Sequence, residues 1–107
     1  MPKIMIPLFR DIEIVGNYFR DDAAKECFNA LEYGVKLEIE LEPENEHDKF
    51  AVRVLAGGVH LGYIPAHSSA ICYALSDLET LSVTVTKVEA KKGGGQKVFL
   101  TMSKDNS

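Results

Sequence analysis

The chain has 107 residues, 46% of them hydrophobic and 26% charged, and a formal net charge of −4. That length supports one domain built on one modest core, and the composition is that of an ordinary globule. The acidic balance excludes a domain that holds nucleic acid through an overall basic field, so any such role needs a local site.

Residues 1–9 are apolar but short, and Pro2, Lys3 and Pro7 interrupt them. Neither a secretory signal nor a membrane span is expected there, and the expected location is cytoplasmic, or nuclear in a eukaryote. Residues 12–19, rich in β-branched and aromatic side chains, read as a strand. On that reading Tyr18 and Phe19 face opposite sides of a sheet. Asp21 or Asp22 then offers an N-cap oxygen, and Ala24, Cys27, Phe28 and Leu31 follow at helical spacing. Gly34 stands where a helix end calls for positive φ.

Strict alternation follows. Val35, Leu37, Ile39 and Leu41 share one face of a strand, while Lys36, Glu38, Glu40 and Glu42 share the other. Pro43 ends that ladder. A polar loop runs to Lys49, and a strand over 51–55 turns Val52 and Val54 inward. Gly57-Gly58 is a hairpin signal, with Val59, Leu61 and Tyr63 alternating in the partner strand. Pro65 stops it. Ile71, Leu75 and Leu78 mark a second short helix starting near 66–68. Leu81, Val83 and Val85 alternate in a further strand, Gly93-Gly94-Gly95 turns the chain, and Val98, Leu100 and Met102 share one face of the last strand. The core is expected over about 12–103, with 104–107 as a frayed tail. The whole of 1–107 reads as a single, mainly β domain of about six strands and two short helices, with the sheet curled into a small barrel or sandwich.

The polar segment between two apolar strands, Glu42-Pro43-Glu44-Asn45-Glu46-His47-Asp48-Lys49, is where binding chemistry is most expected. Asp48 is an acceptor-only carboxylate that serves either a ligand hydroxyl or the backbone N–H groups of its own turn. Gly62, beside Tyr63, permits a close backbone approach. Arg10, Arg20, Lys25, Lys49 and Arg53 are candidate phosphate contacts. Lys87, Lys91, Lys92 and Lys97 flank the glycine turn, either following a strand backbone or simply solvating a hairpin. The acidic row of Glu38, Glu40 and Glu42 would repel phosphates and suit a basic protein partner. No metal or other cofactor is expected. His47, His60 and His67 lack metalloenzyme spacing, Cys27 and Cys72 fit neither zinc nor thioredoxin patterns and read as free thiols, and no nucleophile–base pair stands out.

Three motifs in order, Glu-Pro-x-Asn-x-His-Asp at 42–48, Ala-Val-x-Val at 51–54 and Leu-Gly-Tyr-Ile-Pro at 61–65, resemble the HIRAN domain. Val15-Gly16-x-x-Phe19-Arg20 extends the likeness upstream. The resemblance implies a small OB-like β-barrel with short helices. It also implies a non-enzymatic, DNA-binding module that recognises 3′-hydroxyl ends of single-stranded DNA, of use in DNA repair or replication-fork processing. Carried over by position, Asp48 accepts from the terminal hydroxyl and Phe19 stacks on a terminal base. Asn45 and His47 line the pocket, Lys49 lies near a phosphate, and Arg20 and Tyr63 complete the set. Phe19, His47 and Phe50 stand where the family often has Tyr, Tyr and Asn. A protein-interaction module using the acidic strand face is the alternative.

Overall fold

The computed structural model describes residues 4–105. In chain order these form β1 (Met5–Glu13), a 3-10 turn (Asn17–Phe19), α1 (Asp22–Asn29), β2 (Lys36–Leu41), β3 (Val52–Ala56) and β4 (Val59–Tyr63). After them come α2 (Ala70–Asp77), a second 3-10 turn (Leu78–Thr80), β5 (Leu81–Ala90) and β6 (Gln96–Asp105). The strands make one six-stranded sheet in the order β1-β6-β5-β2-β3-β4, with every neighbouring pair antiparallel. The architecture is mainly β with two short helices, as expected. The sheet is OB-like but is not closed into a barrel. A single antiparallel bridge, Val15 to Tyr63, ties the chain just past β1 to β4.

Alternation places the core as read. Leu37, Val52, Val54, Leu61, Val83, Val85, Val98, Leu100 and Met102 are all buried and pack with Ile14, Phe28 and Leu31. Asp21 caps α1, its Oδ1 accepting from the Ala24 N–H at 2.9 Å, and Phe28 carries the buried face of that helix. Leu41 and Val59 sit at strand ends and are exposed, although their alternation points inward. The second helix starts at Ala70 and buries Ala70, Ile71 and Ala74; Leu75, expected on its apolar face, is exposed.

Two expectations at the chain's ends are corrected. Residues 12–19 do not form one strand. β1 begins at Met5 and ends at Glu13, bent by register shifts between Pro7 and Phe9 and between Phe9 and Ile12. Gly16, at φ +78°, then diverts the chain into the 3-10 turn, of which it is the N-cap. Tyr18 and Phe19 therefore do not alternate, and both are exposed, at 69% and 89%. At the other end Lys104 and Asp105 are not frayed, since they pair with Ile6 and Met5 of β1; residues 106–107 of the expected tail lie outside the described residues. Cys27 is half-buried and Cys72 exposed, and both are free thiols. Among the described residues no helix is long and apolar enough to cross a membrane.

Candidate functional site

The 42–50 loop is braced from within. Its ends are joined by the Glu42 N–H donating to the Ala51 carbonyl at 2.9 Å. Asn45 Oδ1 accepts from the backbone N–H groups of His47 (2.9 Å) and Asp48 (3.0 Å), while its Nδ2 donates to Glu42 Oε1 at 2.7 Å. Asp48 Oδ1 accepts the Phe50 N–H at 2.9 Å, an Asx-turn of the kind that short carboxylates form. A carboxylate has room for several donors on its two oxygens, so Oδ2 stays available to a ligand. Asn45 thus acts as the keystone of the loop, and Asp48 serves its turn with one oxygen only.

Glu42 joins this loop to the sheet. Besides Asn45, it accepts the Tyr63 hydroxyl at 2.8 Å, and its second oxygen lies 3.9 Å from Arg53 Nη1. Arg53 stands between Glu40 and Tyr63 in register across β2, β3 and β4, and its Nε also donates to Glu40 Oε1 at 2.9 Å. The expected acidic row is therefore not a continuous negative face: Arg53 lies across it, and the Glu42 side chain is only 15% exposed. Burial pushes the Glu42 carboxyl up, but the hydrogen bonds from Asn45 and Tyr63, with attraction from His60 and Arg53, outweigh it and hold the group below its ordinary value. Burial and the bond to Glu42 raise the Tyr63 phenol, which stays a donor.

A second wall comes from residues 15–20. Val15 and Tyr63 exchange backbone hydrogen bonds at 3.0 and 2.7 Å. This approach requires Gly62, because a Cβ there would lie 2.5 Å from the Val15 carbonyl oxygen. Beyond Gly16 the turn presents Phe19 to solvent and directs Arg20 back, its Nε donating to the His60 carbonyl at 3.2 Å. His60 Nε2–H donates in turn to the Gly62 carbonyl at 3.0 Å, and its ring meets that of Tyr63 edge-to-face at 4.8 Å. Burial, reinforced by the Arg20 charge, holds the His60 imidazole below its ordinary value.

Between the loop and this turn lies a cleft of about 550 Å³. Phe19, Arg20, Asn45, His47, Asp48 and Tyr63 all line it, over a floor that includes Val15, Ala51 and Ile64. The sequence of this chain matches the model of the HIRAN domain over residues 9–106. The chain belongs to the HIRAN domain family. That family is known for nucleic-acid binding, and the domain is a binding module rather than a catalytic one. A crystal structure of a protein from Lactobacillus plantarum superposes with a TM-score of 0.70 at 21% identity, covering 96% of this chain and 99% of that one; at that identity the likeness is one of fold. No curated protein matches the sequence.

Six of the seven residues singled out from the sequence of this HIRAN domain meet at one cleft. Lys49 does not line it, and its Nζ rests 5.2 Å from the Phe50 ring centroid instead. Of the other candidate cations, Arg53 is held by Glu40 and Glu42. Two residues of the site were missed by sequence reasoning. Strand alternation puts Glu42 with the solvent-facing acids, and the spacing of His60 speaks only to metal binding. The partners that reveal them, Tyr63 and Arg20, are distant in sequence and met only through the fold. Among the described residues no group of three or more His, Cys, Asp or Glu side chains is arranged to hold a metal ion.

Proposed function

We propose that this HIRAN domain binds the 3′-hydroxyl end of single-stranded DNA in the cleft between the 16–20 turn and the 42–50 loop, without catalysis. The observation that carries this reading is the convergence of a fully presented aromatic ring, Phe19, and a loop-fixed carboxylate, Asp48, on one solvent-open cleft. An aromatic ring that buries nothing in the core is a stacking platform, worth about 1–3 kcal/mol per base. Asp48 Oδ2 accepts the terminal hydroxyl in a charge-assisted bond. A terminal phosphate in the same place meets a like charge and is rejected. Arg20, braced on the His60 carbonyl, faces the preceding phosphate, and His47 and Tyr63 shape the pocket around the sugar. A module with this preference suits DNA repair or replication-fork processing, where 3′ ends are exposed.

The protein-interaction alternative uses the acidic strand face, where Arg53 is paired with Glu40 and lies 3.9 Å from Glu42. The test is fluorescence-anisotropy titration with oligonucleotides that differ only in a 3′-hydroxyl or 3′-phosphate. Preference for the hydroxyl end, lost in Asp48→Asn, is expected; the amide keeps the oxygen that accepts the Phe50 N–H, so the loop is retained. Equal binding of both ends by the unaltered domain overturns the reading.

A further inference from the structure

The 16–20 turn has two sides. Phe19 and Arg20 line the cleft, whereas Asn17 and Tyr18 line a second groove of about 440 Å³. Tyr18 and Phe19 are consecutive, so adjacent residues of one turn line the two depressions. The second groove runs between α1 and the tip of the β5–β6 hairpin. Its charged lining consists of Lys25, Lys91 and Lys92, with no carboxylate among its lining residues. In a chain of net charge −4, three lysines line this one groove, while Asp22 and Glu26 lie on the adjoining depression that shares Lys25 and Asn29 with it. Gly93, Gly94 and Gly95 also line it and bring no side chains into it.

Tyr18 is fixed as a wall of the second groove. Its hydroxyl accepts from Lys91 Nζ at 2.9 Å, and that ammonium lies 4.6 Å from its ring centroid. An ammonium has three donors, so Lys91 keeps others for a ligand. Among the described residues the side chains of Lys25 and Lys92 make no hydrogen bond or ion pair.

We propose that this groove carries the phosphate backbone of the nucleotides leading away from the end held in the cleft, so that the strand crosses the 16–20 turn from Phe19 to Tyr18 and continues toward Lys25 and Lys92. The proposal rests on the end-binding reading above and adds a direction and a length to it. Each phosphate neutralised on a single strand contributes about 0.7 to the slope of log affinity against log salt.

The experiment compares a dinucleotide with an octanucleotide, each ending in a 3′-hydroxyl or a 3′-phosphate, on the unaltered domain and on the Lys25→Ala/Lys92→Ala variant, across a salt series. Both substitutions are at exposed positions, and circular dichroism verifies that the variant is folded. The unaltered domain is expected to bind the octanucleotide more tightly and with a steeper salt slope. The variant should lose that length advantage, with a slope shallower by about 1.4 for two lost phosphate contacts, while binding the dinucleotide as before. No length advantage in the unaltered domain, or one that survives in the variant, overturns the proposal. Failure of the end-binding reading looks different: the two termini bind equally at either length, whatever the lysines do.

Discussion

The Tyr63 hydroxyl donates to Glu42 Oε1 across 2.8 Å, joining the last residue of β4 to the residue that follows β2. The same oxygen accepts Asn45 Nδ2 at 2.7 Å, and Asn45 in turn holds the backbone of His47 and Asp48. The position of the Asp48 carboxylate is therefore set from the sheet, through Tyr63, Glu42 and Asn45. That chain of contacts gives a polar loop a fixed geometry.

Removing its centre has a definite cost. Glu42→Ala leaves the Tyr63 hydroxyl and the Asn45 amide without their acceptor, and a donor stripped of its partner in a half-buried site costs about 1–3 kcal/mol. The urea midpoint should fall by that free energy divided by the m-value, which stays unchanged. Glu42→Gln should lose less, because the amide oxygen still accepts.

The pH dependence of stability on the acid side follows from three depressed groups. His60 lies below its ordinary 6.5 in the fold, because burial and then Arg20 oppose its charge. Between its folded value and 6.5 the unfolded chain binds more protons, so stability rises with pH through that window and its full contribution is present above 6.5. Glu42, held below 4.5 by hydrogen bonds that overcome its burial, contributes fully above 4.5 and loses that contribution as pH falls through its folded value. Asp77, lowered by its bond with Lys104, adds to the acid stage. The urea midpoint should therefore be level from pH 6.5 to the onset of tyrosine titration and decline in two stages on acidification. His60→Gln should remove the first stage only.

Much of this was legible in the chain because alternation reports burial. Val52, Val54, Val83, Val85, Val98, Leu100 and Met102 pointed inward on paper and are buried in the fold. The loop's polar residues were legible as a site because Pro43 and the flanking strands framed them. The first strand was not, since the left-handed Asp11 (φ 53°) and the register shifts near it break the periodicity of β1, and residues 12–19 looked more strand-like than the bent segment before them. Glu42 was misjudged for a related reason. Period-two patterning states which face a side chain occupies, but Tyr63, 21 residues away, decides whether that face is solvent. The same patterning forced Tyr18 and Phe19 onto opposite faces, when Gly16 had already taken them out of the sheet.

Gly62 controls whether the cleft has two walls. Gly62→Ala places a Cβ 2.5 Å from the Val15 carbonyl oxygen, a contact with backbone that cannot swing aside. The Val15–Tyr63 bridge must part, at a cost of about 1–3 kcal/mol for overpacking a filled site. The 16–20 turn moves away from the 42–50 loop with it. Hydrogen exchange should show the Val15 and Tyr63 amides losing protection while those of β5 and β6 keep theirs, and oligonucleotide affinity should fall by more than the change in folded population accounts for.

Phe19 separates binding from folding most cleanly. At 89% exposure the ring contributes almost nothing to the core, so Phe19→Ala should leave the thermal midpoint close to unchanged, as for other surface substitutions within about 0.5 kcal/mol. Its expected role is all in the ligand: losing one base-stacking contact of about 1–3 kcal/mol weakens binding roughly 5- to 150-fold. Phe19→Tyr keeps the ring face and should bind like the unaltered domain, whereas Phe19→Leu keeps apolar area without a flat π-face and should behave more like alanine. Anisotropy titration of the three variants against one 3′-hydroxyl oligonucleotide orders them. If leucine binds as well as tyrosine, the cleft takes its ligand by general apolar contact and not by stacking a base.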